Sequence, residues 1–339
     1  MKKISKRIIA CIAFCVIVLL LMGQANSVLI SKSLNRYYML AQALDETDST
    51  YDVQVFGACH SYTSFNAKYF EDTYGLTAFD MGNPGEIIPT TYLNMAERFK
   101  KDTPKVALVE IWGINAYETY ISREKVFEYY MPVNVEHLPF SLKKAEVIRD
   151  FYSLDMLLEN FAAAKYKDRI MNMELRAYDF DYSFDEIMEA TSNYNRKEMT
   201  RRMENNGFCE MPMSGELYTP YKDVSDYYEL QAVVAENETM KPEAVMLKYV
   251  DKIIELCEKK GVELIFYRAP YVSCENELKK ANWLAAYCEE KAIPFYDLEK
   301  EIAFDITSDF LDHQHLNKYG AKKATDYLAA QVLEKAASK

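Results

Sequence analysis

Short β-rich apolar runs alternate with helical spacing over both ends of this chain. Asp52-Val-Gln-Val-Phe-Gly57 reads as a strand stopped by a glycine, and Lys105-Val-Ala-Leu-Val-Glu-Ile-Trp112 reads as a second strand. Ile88 to Lys101 lies between them with helical period, so the three pieces predict a β-α-β unit whose two strands run parallel. The alternation resumes with a helix over Pro242 to Lys260 and a strand over Val262 to Tyr267. A helix over Glu275 to Lys291, a strand over Ile293 to Asp297 and a closing helix from about Lys318 follow. Together these predict an α/β fold, a doubly wound parallel-sheet sandwich built from two separated stretches of chain. Roughly residues 120–240 break the pattern. Charged and aromatic residues recur there at helical spacing through Leu142 to Met173, and glycine is nearly absent until Gly207, which predicts a mostly helical insertion after the central strand. Insertions at strand ends commonly cover ligand sites.

The other long apolar stretch has a different character. Lys2, Lys3, Lys6 and Arg7 precede the uninterrupted run Ile8 to Gly23, the order that directs a chain into a membrane with its N-terminus inside. With Val28, Leu29 and Ile30 the run extends to a helix of about twenty residues, enough to span. Residues 1–30 are therefore expected to be a cytoplasmic tip and transmembrane signal-anchor, residues 31–50 a stalk and residues 51–339 the folded domain outside the cytoplasm. A cleaved signal peptide ending near Ala25 or Ser27 is the rival expectation.

Composition narrows the function classes. A chain of 339 residues that is 50% hydrophobic can bury one large core. Its net charge of -12, with no Lys/Arg cluster after residue 8, argues against a nucleic-acid partner. Of the seven cysteines, Cys11 and Cys15 lie in the anchor and Cys59, Cys209, Cys257, Cys274 and Cys288 in the domain. None has zinc-site spacing, and the pairing of any disulfide among the last four is open.

Two segments carry chemistry. In Phe56-Gly57-Ala58-Cys59-His60-Ser61 a cysteine stands just past the first strand, where open α/β sheets bind ligands and a helix N-terminus favours a thiolate. His60 is expected to point away from Cys59, because neighbouring side chains in extended backbone face opposite sides. In Asp309-Phe-Leu-Asp312-His-Gln-His315-Leu-Asn-Lys-Tyr-Gly320, Asp312 is spaced to fold back on one nitrogen of His315 and leave the other to take a proton. His313 raises the thought of a metal, but without further clustered ligands neither a metal nor a cofactor is expected.

A Gly-x-(Ser or Cys) turn after the first strand and an Asp-x-x-His turn before the last helix resemble the SGNH (GDSL-like) hydrolase superfamily, in its membrane-anchored bacterial branch. That branch includes D-alanyl-transfer proteins of teichoic-acid systems and enzymes that acetylate or deacetylate surface polysaccharides. The resemblance spans about residues 50–120 and 242–335, and implies the SGNH/flavodoxin-like version of the fold. By position, Cys59 matches the nucleophilic serine, and Asp312 and His315 match the acid and base. Gly82, in Asp80-Met-Gly-Asn-Pro-Gly85, matches the glycine whose N–H faces the oxyanion. Asn115, in Gly113-Ile-Asn115, matches the asparagine whose amide completes the oxyanion hole. Cysteine where serine is the rule implies a thioester intermediate. The resemblance thus implies an acyl esterase or O-acyltransferase acting on a cell-envelope glycan or polymer, with an integral-membrane acyltransferase as partner. The alternative is a catalytically silent binding or assembly component of a surface-polysaccharide system.

Overall fold

The computed structural model describes residues 6–14, 16–18, 21, 50–115, 134–135, 138, 141–151, 200–209 and 231–337. Residues 6–14, 16–18 and 21 are helical. No helix among the described residues is long and apolar enough to cross a membrane, so the expected spanning helix finds no support here. The expected stalk up to residue 49 and most of the expected insertion lie outside the described residues.

Among the described residues five strands form one sheet in which every pair is parallel: β1 (Val53–Phe56), β2 (Ala78–Asp80), β3 (Val106–Glu110), β4 (Glu263–Arg268) and β5 (Phe295–Asp297). Their spatial order is β2-β1-β3-β4-β5. The fold is therefore α/β. The apolar runs of the sequence become four of these strands. The fifth, β2, is only three residues long, too short for its alternation to stand out from its surroundings.

Helices cover both faces. In chain order they are α1 (Cys59–Ser64), α2 (Ala67–Tyr74), α3 (Ile88–Arg98), α4 (Leu142–Phe151), α5 (Ala244–Lys260), α6 (Glu275–Glu290), α7 (Leu298–Glu301), α8 (Ile306–Asp309) and α9 (Lys318–Ala337), with a 3-10 turn over Trp112–Asn115. Because side chains alternate along a strand, each strand feeds two cores. Val53, Val55, Val106, Leu108 and Ile265 meet Phe65 just after α1, Phe70 of α2, and Leu328 and Val332 of α9. On the other face Phe56, Val109, Leu264 and Phe266 meet Leu93, Val250, Ile253 and Leu284 from α3, α5 and α6. Gln54, a polar side chain inside the sheet, donates to Asp102, which also accepts from the Tyr51 N–H. Its buried amide nitrogen is thereby partnered, whereas its Oε1 has no hydrogen-bond partner among the described residues.

Local signals end the helices where the strands must begin. Gly75 and Gly261 adopt the left-handed conformation after α2 and α5, and each N–H closes on a carbonyl of the last turn. Asn66 caps α2 by accepting from the Tyr69 N–H at 2.9 Å. Asn317 does more. Its Oδ1 accepts from Tyr319 N and Gly320 N at the start of α9, while its Nδ2 donates to Ser308 O at 2.7 Å. The chain before α9 is thus tied to α8 as well as to its own helix.

One consequence of the strand order bears on function. From β1 the chain moves to the edge strand β2, then returns past β1 to β3 and onward to β5. The loops after β1 and β3 therefore diverge, and a crevice opens at the carboxyl ends of these two central strands.

Candidate active site

Gly57 ends β1 with a φ of 141°, a conformation that disfavours any side chain. A Cβ there would also sit 2.7 Å from Glu110 Cβ at the end of β3. The backbone can therefore turn sharply against β3 and start α1 at once, with Cys59 as its first residue. The Ala58 carbonyl accepts from Ser61 N at 3.0 Å and fixes that first turn. Cys59 is partly exposed at the strand end, while His60 to Ser64 are buried.

The second piece is a narrow loop. Phe310 and Leu316 form an isolated antiparallel bridge, and Leu311 N donates to His315 O at 2.9 Å, so residues 311–315 make the tip of a tight reversal. Val272 N donates to His313 O and ties this tip to the loop after β4. At the tip, Asp312 Oδ1 accepts from Gln314 N at 2.7 Å and His315 N at 2.8 Å, the local capture expected of an aspartate in a turn. The same carboxylate lies 3.0 and 3.1 Å from His315 Nδ1 through its two oxygens. Asp312 and His315, both partly exposed, are thus one unit.

The sheet brings this unit to Cys59. Cys59 Sγ, one ring nitrogen of His60 and one of His315 all lie within 4.8 Å of one another. His60 was expected to point away. Instead its Nδ1 lies 3.9 Å from Sγ, because the two residues open a helix rather than continue the strand. Successive helical side chains are separated by about 100°, not by the reversal of a strand. Beyond that link to the sulfur, the His60 ring is held by ring contacts. It stacks on Trp112 and on His315, each with ring centroids 5.4 Å away, and tilts against Tyr271 at 4.7 Å. Its Nε2 is buried with no hydrogen-bond partner among the described residues.

The charges in this group support one another. Burial alone would raise the Cys59 thiol, but His60 and His315 outweigh it and hold the thiol well below its ordinary range. Burial would lower His315, yet the Cys59 sulfur and the Asp312 carboxylate raise it to about 10. Burial would likewise raise Asp312, but the imidazole of His315 and the two backbone donors keep it below the usual aspartate value. These shifts favour a carboxylate, an imidazolium and a thiolate in sequence. A thiolate is the reactive form of cysteine.

The two expected oxyanion donors are engaged elsewhere. The Gly82 N–H donates to Asp80 Oδ1 at 2.7 Å. Gly82 itself is required by space, since a Cβ would fall 1.9 Å from Ser61 Oγ. Asn115 is buried in the 3-10 turn and gives one amide hydrogen to Tyr271 Oη at 3.0 Å.

Beneath the site lie three fully buried carboxyl groups that sequence reasoning did not single out. Burial pushes Asp80 up to about 7, Glu86 to about 8 and Glu110 to about 7. Each keeps one oxygen without a partner among the described residues. Arg202 was also not anticipated. It comes from residues 200–209 of the expected insertion, donates to Gly82 O at 2.8 Å and Gly207 O at 2.9 Å, and lies 4.5 Å over the Tyr62 ring. Cys209 N donates to Tyr62 O at 2.8 Å, so this segment is fastened to α1 and to the Gly82 loop. Nothing in its sequence marks Arg202 apart from neighbouring Arg201. Cys257, Cys274 and Cys288 carry free thiols.

No protein-family model matches this chain, and a comparison with curated proteins returns no match either.

Proposed function

We propose that this chain is an acyl esterase or O-acyltransferase of the SGNH kind, working through a Cys59–His315–Asp312 triad on a cell-envelope glycan or polymer. The observation that carries the reading is the pairing of His315 Nδ1 with Asp312 at 3.0 Å while the same imidazole stands within 4.8 Å of Cys59 Sγ. A nucleophile, a base and the group that orients the base are thus assembled from two ends of the domain. The doubly wound strand order and the crevice at the ends of β1 and β3 support the SGNH-like fold.

In this reading the Cys59 thiolate attacks an ester carbonyl, and the alcohol leaves with the proton of the His315 imidazolium. The product is a thioester on Cys59. Water or an acceptor hydroxyl then gives its proton to His315 and attacks the thioester, which frees the thiolate again. Asp312 holds the tautomer and balances the imidazolium charge. The oxyanion would be met by the Cys59 N–H, which as the first of a helix has no intrahelical acceptor, and by the second amide hydrogen of Asn115. The acyl group would come from an integral-membrane acyltransferase, with this chain anchored beside it by residues 8–23.

The test is intact mass after incubation with p-nitrophenyl acetate. The expected result is a stoichiometric acetyl adduct that is absent from Cys59→Ala and strongly slowed in His315→Ala. Wild-type protein that stays unmodified, or an adduct that persists in Cys59→Ala, refutes the proposal.

A further inference from the structure

A cysteine-histidine-aspartate triad needs one imidazole at the sulfur. This site has two, and no proton of the acyl reaction passes through His60. The surplus ring is what a metal site would require. We propose that Cys59 Sγ, His60 and His315 bind one thiophilic divalent cation of the zinc class, which occupies the nucleophile and blocks acylation.

The donor set is one that zinc favours, a thiolate and two imidazoles. The three ligand atoms lie within 4.8 Å of one another, and Sγ to His60 Nδ1 is already 3.9 Å. Bonds of about 2.3 Å to sulfur and about 2.0–2.1 Å to nitrogen in a tetrahedron set ligand atoms roughly 3.3–3.7 Å apart. The widest pair needs to close by up to about 1.5 Å, within the reach of side-chain torsions on a loop tip such as that of His315.

The surroundings fit the same assignment. Asp312 occupies His315 Nδ1, which leaves Nε2 for the cation and supplies the carboxylate–histidine–metal arrangement that orients ligands in such sites. The His60 ring is preset by Trp112 and Tyr271, and because Nε2 has no acceptor among the described residues its proton can reside there and leave Nδ1 bare toward the sulfur. Cys59 and His315 are partly exposed, so a cation has a way in, and three protein ligands leave a fourth position for water or an anion. On binding, the proton held between sulfur and His315 is released to solvent. Neighbour spacing did not reveal the site, because two ligands are adjacent and the third stands at the far end of the domain.

The cation binding stands apart from the acyl reading; the blockade of acylation rests on it. The experiment is titration of reduced, metal-free, full-length protein with Co2+, followed by displacement with Zn2+. The expected result is saturation at one equivalent, with thiolate-to-cobalt charge transfer and the intense visible bands of a tetrahedral ion. Cys59→Ala should abolish the charge-transfer band, and His60→Gln should weaken binding by at least the roughly 10- to 100-fold cost of losing even an outer-shell partner. Cys274→Ser, which replaces an N-cap outside the ligand set by a good one, should leave one equivalent bound with its charge-transfer band. Since His60 is buried, each variant is checked by circular dichroism, and His315→Gln on its partly exposed loop gives a second ligand test. A missing charge-transfer band, a band that survives Cys59→Ala, or binding indifferent to both histidine variants overturns the site. In the mass assay Zn2+ should suppress the acetyl adduct and a chelator should restore it. Cobalt binding without any adduct refutes the acyl reading alone, and an adduct without cobalt binding refutes the cation site alone.

Discussion

Replacing His315 by glutamine removes an imidazolium from beside the thiolate while keeping an amide that can still meet Asp312. Opposite unit charges no more than 4.8 Å apart attract by about 3.5 kcal/mol or more at an effective dielectric constant of about 20. Both groups are partly exposed, which reduces the interaction to about 2–3 kcal/mol. That energy corresponds to roughly 30- to 150-fold in thiolate population on the acid side of the titration. Nucleophilicity moves the other way, since a more basic thiolate reacts faster with a Brønsted slope of about 0.4–0.5. The net loss in alkylation rate at acid pH is then about 6- to 15-fold. The assay is pulse alkylation with iodoacetamide between pH 5 and 9, read by peptide mass at Cys59. Cys274, whose thiol burial raises above the ordinary value, serves as the internal reference. Wild-type Cys59 should remain reactive at pH values where Cys274 is silent, and the variant should lose most of that advantage. If the two proteins give superimposable pH profiles at Cys59, the thiolate–imidazolium pair does not exist and the mechanism built on it falls.

Three further outcomes follow from the same geometry. Gly57→Ala should destabilise the fold by about 1–3 kcal/mol in denaturant melts, because the residue sits at φ 141° with Glu110 Cβ in the way; unchanged stability contradicts the turn described here. Arg268→Met should cost about 3–5 kcal/mol, because the buried guanidinium pairs with Asp297 at 2.8 Å and Glu299 at 2.7 Å and its loss strands those anions. Stability should also fall as pH rises from about 5 to 8. Asp80, Glu86 and Glu110 have folded values raised to about 7, 8 and 7, so the folded state holds protons that the unfolded chain has released, and each proton contributes a slope of about 1.4 kcal/mol per pH unit. Glu86→Gln keeps an acceptor for Asn83 and Asn94 and should flatten that slope by one proton; an unchanged slope refutes the assignment.

The sequence by itself determined the elements whose apolar period is long enough to read. β1, β3, β4 and β5 and the helices α3, α5, α6 and α9 stand close to where the pattern predicts them. β1, β3 and β4 are buried almost throughout on both faces, so their runs are mostly apolar and stand out. The chemical types of Cys59, Asp312 and His315 were legible for a similar reason, since Asp-x-x-His is a local arrangement that a tight loop can close without help from the rest of the chain. What the tertiary structure decided is everything that depends on distance between remote segments. Whether the loop before α9 reaches Cys59 is set by the order β2-β1-β3-β4-β5, which places β1 inside the sheet beside β3. Whether His60 meets the sulfur depends on α1 starting at Cys59 rather than two residues later, a choice made by Gly57 packing on Glu110. Arg202, the Gly82 N–H and the three buried carboxyl groups take their roles from partners that adjoin them only in the folded chain. Periodicity records which face of an element is buried; it carries no record of what lies against that face.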